Sequence, residues 1–223
     1  MHQRISKKIV VYLFLFLTLV TANNINFLNF NFLKIITLNV SGLNNLEKKK
    51  FEKDLDFLKK EDLIFLDKVE ISKKIFANKT VEDLSVFKNY PSELQIFIKK
   101  TNFLAITKKN NQNYYIGSNG NLILTKNSLE SLPFIFGNVE PDDFLKLKAY
   151  IYNSEFNFDQ IKNLYFFKSK RWDIETKDGL IIKLPLNQIE ISLNNLSKII
   201  ISEEFKNKKV IDLRQKNQVI LND

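Results

Sequence analysis

Residues Lys34–Ser41 read KIITLNVS, an alternating run rich in β-branched side chains. This pattern predicts a β-strand that ends at Gly42. An amphipathic stretch follows over Leu46–Lys60, where apolar residues recur every three to five positions and predict a helix. Asn44 or Asn45 can cap that helix, because a short side-chain oxygen accepts a hydrogen bond from an unpaired helix N–H. The first folded region therefore mixes strand and helix.

The segments that come next extend this beginning to the order β-α-α-β-β. A second helix is predicted over Asp67–Ala77, with Asp67 as its cap. Val81–Tyr90 and Leu94–Lys100 both alternate and predict strands, and Pro91-Ser92 between them predicts a turn.

The chain after Asn102 changes to short strands with two helices, and we place a domain boundary near that residue. Asn119-Gly120 between two apolar runs predicts a hairpin, because both turn positions tolerate a positive φ. Helices are predicted over Asp142–Tyr152 and Ile189–Phe205. The fold class is α+β, and the second region is a mostly antiparallel β domain with flanking helices. Its predicted strands are Phe103–Lys108, Tyr114–Ile116, Leu122–Leu124, Ile161–Phe167, Trp172–Thr176, Leu180–Leu184, Val210–Arg214 and Gln218–Leu221.

The N-terminal residues carry an export or anchoring signal. Met1–Lys8 contain three basic residues and no acid, and Ile9–Leu33 carry no charge at all. A transmembrane helix over residues 9–29 has the length of about 20 residues that a bilayer requires, and the basic tail places residues 1–8 in the cytoplasm. A signal peptide cleaved after Val20-Thr21-Ala22 fits the same residues. Both interpretations export the rest of the chain.

The composition removes several function classes. The chain has 34 Lys+Arg against 25 Asp+Glu, no Cys and a single His, which is His2. Disulfides, cysteine–zinc sites, thiol nucleophiles and Ser-His-Asp triads are therefore excluded. Only three of the basic residues are Arg and acids are interspersed among them, so we expect no nucleic-acid binding. We find no phosphate-binding glycine motif and expect neither a cofactor nor enzymatic activity.

Short motifs occur in order along nearly the whole chain. They are Val40-Ser41-Gly42, Tyr90-Pro91-Ser92-Glu93-Leu94-Gln95-Ile96, Leu132-Pro133 with Gly137, Arg171-Trp172-Asp173-Ile174, Gly179 with Lys183-Leu184-Pro185, and Ile211-Asp212-Leu213-Arg214. In their order and spacing, these motifs resemble the FtsQ/DivIB family of bacterial cell-division proteins, of the Gram-negative type. The chain departs from the family at Lys100-Thr101-Asn102-Phe103, where the family usually has Glu-Arg-x-Pro.

The resemblance implies a scaffold of the division machinery (divisome) that recruits and links other division proteins across the inner membrane. It implies a cytoplasmic tail over residues 1–8, one transmembrane helix over 9–29, a POTRA domain over 34–102 and a C-terminal β domain over 103–223. The bulk of the chain is then periplasmic and concentrated at the division septum. Partners resembling FtsB and FtsL are expected to bind the β domain. The contact residues that the resemblance implies are Arg214, Gln215, Gln218, Val219, Ile220 and Leu221.

The end of the chain also supports partner binding on its own residues. Val219–Leu221 is a short apolar run, and a terminal strand often lies at a sheet edge whose unpaired N–H and C=O groups accept another strand. The alternative is an ordinary edge protected by Lys216. Trp172 could anchor a partner, and a cluster of phenylalanines could form an exposed binding patch, but both are expected to pack in the core. The cluster consists of Phe134, Phe136, Phe156, Phe158, Phe166 and Phe167.

Two other functions are compatible with an exported chain. One is a cleaved periplasmic protein whose POTRA-type domain binds extended polypeptides. The other is a hydrolase that uses carboxylates alone, and no spacing of Asp and Glu in the sequence supports it.

Overall fold

The structure, a computed structural model, describes residues 6–22, 33–125, 131–200, 208–215 and 218–222. Helices and sheets occur together, which confirms the α+β class. The chain divides into two compact units. The first comprises Met1–Lys73 with Leu84–Ile98, and the second comprises Lys74–Asp83 with Lys99–Asp223.

Helix α1 spans Lys7–Ala22 at the start of the first unit. Its large apolar side chains from Ile9 to Val20 are all 50–69% exposed, so no face of the helix is covered. Across the described ranges, no helix combines the length and the apolar character that crossing a membrane requires. Residues 23–29 of the predicted span lie outside the described residues.

The elements from residue 37 to residue 100 follow the predicted order β-α-α-β-β. Three strands form a sheet of order β1-β3-β2, in which β1 runs parallel to β3. The elements are β1 Thr37–Ser41, α2 Asn45–Asp54, α3 Lys68–Phe76, β2 Val81–Asn89 and β3 Glu93–Lys100.

The two predicted helices start where their caps place them, but the first is shorter than predicted. Asn44 Oδ1 accepts a hydrogen bond from the Glu47 N–H at 2.9 Å, and Asp67 Oδ1 accepts one from the Val69 N–H at 2.8 Å. The single helix predicted over Leu46–Lys60 is wrong, because α2 ends at Asp54 and a 3-10 helix follows over Asp56–Lys60. The backbone leaves the α-helical conformation at Leu55, where φ is −100° and ψ is 5°, and Leu55 and Leu58 are both buried.

The second unit contains a sheet of nine strands in the order β12-β11-β10-β9-β8-β7-β4-β5-β6. Most neighbours are antiparallel, and the parallel pairs are β4 with β7, β7 with β8, and β10 with β11. The strands are β4 Phe103–Lys109, β5 Gln112–Gly117, β6 Leu122–Thr125, β7 Phe134–Phe136, β8 Ile161–Phe166, β9 Trp172–Thr176, β10 Ile181–Lys183, β11 Val210–Asp212 and β12 Ile220–Asn222.

Two helices bury one face of this sheet. They are α4, Pro141–Tyr152, and α5, Ile189–Ile200; the last residues predicted for α5, 201–205, lie outside the described residues. Both helices share one apolar cluster with alternate residues of the strands. Buried members of that cluster are Phe144, Leu147, Ile151, Leu193 and Leu196 from the helices, and Ile135, Leu164, Ile174, Ile182 and Ile211 from the strands.

The aromatic residues divide between the two faces of the sheet. Trp172 is 4% exposed and its ring lies 4.6 Å from that of Phe166, so its packing role is confirmed. A common core for all the phenylalanines is wrong, since Phe136 and Phe167 are 45% and 38% exposed. Phe136 alternates with the buried Ile135, and strand alternation therefore sends it to the opposite face.

Two glycines provide a test of the turn geometry. Gly137 has φ +107° and a Cβ there would lie 2.1 Å from the Phe166 carbonyl oxygen, whereas Gly179 has φ +90° and open space around it. We expect G179A to cost about 1 kcal/mol from left-handed strain alone, and G137A about three times as much because strand β8 must also shift. Denaturant unfolding followed by Trp172 fluorescence measures both. Equal losses for the two variants would contradict the close approach at Gly137.

Candidate functional site

The terminal strand β12 forms one edge of the nine-stranded sheet. It pairs antiparallel with β11, in the register Asp212↔Ile220, Ile211↔Leu221 and Val210↔Asn222. The strand begins later than predicted, at Ile220, and the Gln218 N–H donates to the Gln215 carbonyl at 3.4 Å. Gln218 and Val219 therefore precede the strand, and β11 likewise ends at Asp212 rather than at Arg214.

Backbone hydrogen bonds fix which peptide groups of β12 are turned outward. The Ile181 N–H donates to the Lys209 carbonyl, and the Leu213 N–H donates to the Lys183 carbonyl, each at 2.9 Å. Alternate residues of this segment therefore bond to β10, and Asp212 between them is directed at β12. Since Asp212 is opposite Ile220, the Ile220 peptide groups point inward and those of Leu221 point away from β11.

A row of side chains runs across six neighbouring strands and ends at this edge. Its members are paired in register from strand to strand, on the face opposite α4 and α5. In order, the row consists of Phe136, Tyr165, Asp173, Lys183, Asp212 and Ile220.

Arg214 clamps the carboxylate of Asp212. Its backbone N–H donates to Asp212 Oδ1 at 3.0 Å, its Nε lies 2.8 and 2.9 Å from the two carboxylate oxygens, and its Nη2 also contacts Oδ2. These hydrogen bonds lower the pKa of Asp212 and raise the pKa of Arg214. The Arg214 side chain is 40% exposed, so the guanidinium is fixed in place and still reachable from solvent.

Asp173 is held less firmly. It is 6% exposed, and Arg171 Nε donates to its Oδ1 at 3.3 Å. Burial raises the pKa of Asp173, and the charge of Arg171 opposes that rise only in part. Arg171 also stacks over the ring of Phe167, with its guanidinium carbon 4.3 Å from the ring centroid.

The far end of the row is aromatic. Phe136 stacks on Tyr165 with ring centroids 5.1 Å apart, and Phe134 lies 4.7 Å from Phe136. The Tyr165 hydroxyl donates to Glu175 at 2.6 Å, and Asn163 donates to the same oxygen at 3.0 Å. These bonds lower the pKa of Glu175, while the carboxylate raises the pKa of Tyr165. The aromatic side chains are thereby locked in orientation.

The residues predicted to bind a partner are not all in one place on this surface. Arg214 and Ile220 meet at Asp212, and Ile220 is 45% exposed. Gln215 and Gln218 are exposed, whereas Val219 packs partly against the core. Leu221 contributes its outward peptide group.

Most of the row was not predicted from the sequence. Asp173, Lys183, Tyr165 and Phe136 were not expected to contribute to a binding surface. The available signal was an acidic residue inside a buried strand, in Trp172-Asp173-Ile174 and again in Ile211-Asp212-Leu213. An acid at such a position is costly unless it is paired or functional.

This surface is suited to binding a protein rather than to chemistry. An outward peptide group offers one donor and one acceptor to an added strand, and the fixed cations beside it offer ion pairs. In the part of the chain that the structure describes, no three His, Cys, Asp or Glu residues converge as metal ligands.

Comparison with known proteins gives matches to cell division proteins. Residues 105–214 match the sequence model of the C-terminal domain of the cell division protein FtsQ/DivIB. The chain is 24% identical to the cell division protein FtsQ of Bradyrhizobium diazoefficiens over 173 residues, which are 73% of this chain and 48% of that protein. It is 25% identical to FtsQ of Rickettsia bellii over 190 residues, 83% of this chain and 70% of the relative. The chain thus spans about half the length of the first relative and more of the second.

A solved structure also matches. It is the major extracytoplasmic domain of the trans isomer of the cell division protein DivIB from Geobacillus stearothermophilus. The match has a TM-score of 0.35 and 14% identity, and it covers 49% of this chain and 98% of the solved one.

The two aspartates of the row are expected to respond oppositely to loss of charge. The pKa of Asp212 is lower in the folded than in the unfolded chain, so the ionised carboxylate stabilises the fold at neutral pH. That stabilisation is lost as the pH falls through the pKa of Asp212 in the folded chain. D212N should cost about 1 kcal/mol, a modest value because Arg214 is partly solvated. The pKa of Asp173 is raised, so its ionisation weakens the fold at neutral pH, and D173N should be neutral or stabilising.

Unfolding free energies at neutral and acidic pH measure this contrast. The difference in unfolding free energy between D212N and the native chain should shrink on acidification. The unfolding free energy of the native chain should rise relative to that of D173N. Equal destabilisation by both substitutions at neutral pH would show that the two carboxylates have the same role.

Proposed function

The chain belongs to the FtsQ/DivIB family of cell division proteins, and from this premise we propose that it is a divisome scaffold that recruits and links other division proteins. The proposed role is structural rather than enzymatic, as expected from the sequence. Recruitment needs a docking surface, and the terminal edge of the second sheet is the best candidate.

The observation that carries the proposal is the outward peptide group of Leu221 on an edge strand. A partner strand laid beside β12 would pair with that N–H and C=O, as in other cases of strand addition. We propose FtsB- and FtsL-like division proteins as the partners. Each backbone hydrogen bond between β12 and the added strand contributes about 1 kcal/mol net. These bonds therefore fix the register of the partner strand, and the side chains of the row supply much of the remaining affinity.

Charge and exposure along the row specify the partner further. Arg171, Lys183 and Arg214 surround Asp173 and Asp212, which leaves one positive charge in excess. The guanidinium of Arg214 is preorganised by Asp212 and suits a carboxylate on the partner. An acidic side chain flanking the added strand is therefore expected near Arg214, and an apolar one beside the exposed Ile220.

The proposal includes a membrane anchor and two exported domains. We propose residues 9–29 as a single-pass inner-membrane anchor, residues 1–8 as the cytoplasmic tail, residues 34–102 as a POTRA domain and residues 103–223 as the β domain. Support comes from helix α1, which exposes apolar side chains on every side from Ile9 to Val20, and from the basic residues Arg4, Lys7 and Lys8 at or before its start. Restriction to the membrane plane would raise the effective concentration of the chain near partners at the septum.

Proline at position 221 tests strand addition directly. L221P removes an N–H that points away from β11, so the domain should stay folded while affinity for the FtsB-like partner falls about tenfold to several hundredfold. L221A is the matched control, because it removes the side chain and keeps the N–H. I220P should instead damage the fold, since the Ile220 N–H pairs with Asp212. Partner binding by calorimetry and folding by near-UV circular dichroism measure the three variants.

Strand addition is refuted if L221P and L221A bind the partner equally well. The division role has a separate test in cells depleted of the native chain. L221A should restore septation and L221P should leave filaments. Normal septation in depleted cells carrying no variant would overturn the division role itself.

A further inference from the structure

One end of the first unit exposes four large apolar side chains together, and we call it the N-terminal pole. Ile36 is 68% exposed, Ile64 47%, Phe65 83% and Tyr90 61%. They belong to three separate segments of the chain, so their grouping is produced by the fold and not by a local run of sequence.

Hydrogen bonds bring the three segments to this end. The Ile35 N–H donates to the Glu61 carbonyl at 3.1 Å and the Leu63 N–H donates to the Leu33 carbonyl at 2.8 Å, around a bridge between Lys34 and Asp62. The Ile36 N–H donates to the Ser92 carbonyl at 2.9 Å. These bonds join residues 33–36 to residues 61–63 and to the turn that holds Tyr90.

A lysine closes the same end from the other side. Lys88 Nζ donates to the carbonyl of Ile64 at 3.1 Å and to that of Leu66 at 2.8 Å. The backbone on both sides of Phe65 is therefore tied to strand β2, and the exposed ring is held in a defined position.

The exposure of these side chains is enforced by their buried neighbours. Ile35 is 1% exposed and Leu63 is fully buried, and each directly precedes one of the exposed isoleucines. Residues 63–65 form a turn, and burial of Leu63 leaves the next two side chains, Ile64 and Phe65, at the surface. Ile36 is likewise exposed beside the buried Ile35. The pole cannot hide its apolar side chains without losing its core.

The charges around the pole nearly cancel. Lys34, Lys60 and Lys88 lie at this end with Glu61 and Asp62, which leaves one positive charge. A strongly charged partner is therefore not favoured. A surface that combines aliphatic side chains with Phe and Tyr and carries little net charge suits the bilayer interface, where aromatic side chains concentrate.

We infer that the N-terminal pole is seated in the interface of a lipid bilayer. The inference rests on the proposed membrane anchor. Helix α1 exposes apolar side chains on every face, and lipid is the environment that covers such a helix. Only three uncharged residues, 30–32, lie between the proposed anchor at residues 9–29 and Leu33 at the pole, and this connection spans at most about 14 Å when extended. Anchoring of residues 9–29 therefore keeps the pole close to the bilayer surface.

Seating of the pole would give the chain a second attachment to the membrane. The anchor alone leaves the first unit free to turn on its connecting residues. Insertion of Phe65 and its neighbours would remove part of that freedom and hold the unit in one orientation relative to the membrane plane.

Quenching by brominated lipid tests the inference with the full chain in phosphatidylcholine vesicles. The indole introduced by F65W reports contact with acyl chains brominated near the interface. L46W is the matched control, since Phe65 and Leu46 are both 83% exposed and belong to the same unit, but Leu46 follows the opposite end of β1. The emission of Trp172 is common to both variants, so it does not affect the difference between them. We expect a marked loss of emission for F65W and none for L46W.

Flotation of the same vesicles separates this inference from the proposed anchor. A chain that floats and shows no extra quenching for F65W keeps the anchor and overturns the seated pole. Equal quenching of F65W and L46W also overturns it, because contact would then not be confined to the pole. A chain that does not float overturns the anchor and the pole together.

Discussion

The direction of the backbone hydrogen bonds in β11 is the constraint on which the proposed binding edge depends. Because alternate residues of β11 bond to β10, Asp212 must pair with Ile220, and the peptide group of Leu221 must point outward. The same alternation sends Ile211 into the core and Asp212 to the opposite face. One register thus determines both the free edge of the sheet and the side chains that surround it.

Electrostatics and packing prepare this edge before any partner arrives. Asp212 fixes the guanidinium of Arg214 at the edge, and Glu175 fixes the hydroxyl of Tyr165 at the far end of the row, four strands away. Side chains that are already ordered lose less conformational entropy on binding. The buried Asp173 is the exception, since burial raises its pKa and a single side chain, Arg171, is hydrogen-bonded to it in the described structure.

Local patterns predicted most of the elements, and the structure shows where such patterns stop being informative. Capping residues placed the starts of α2 and α3 correctly, because Asn44 and Asp67 act within their own first turns. The predicted end of α2 was wrong, since burial of Leu58 is a tertiary effect. The terminal edge could be predicted from an apolar run at the end of the chain. The row could not, because its residues come from six strands whose register is set by long-range pairing.

Amide hydrogen exchange at β12 tests the central claim most directly. In the isolated chain, the Ile220 amide should exchange slowly because it pairs with Asp212, and the Leu221 amide should exchange fast. Addition of the proposed FtsB-like partner should strongly slow exchange of the Leu221 amide and leave the exchange rate of the Ile220 amide little changed. Slow exchange at Leu221 without the partner, or fast exchange at Leu221 in the saturated complex, would contradict the account.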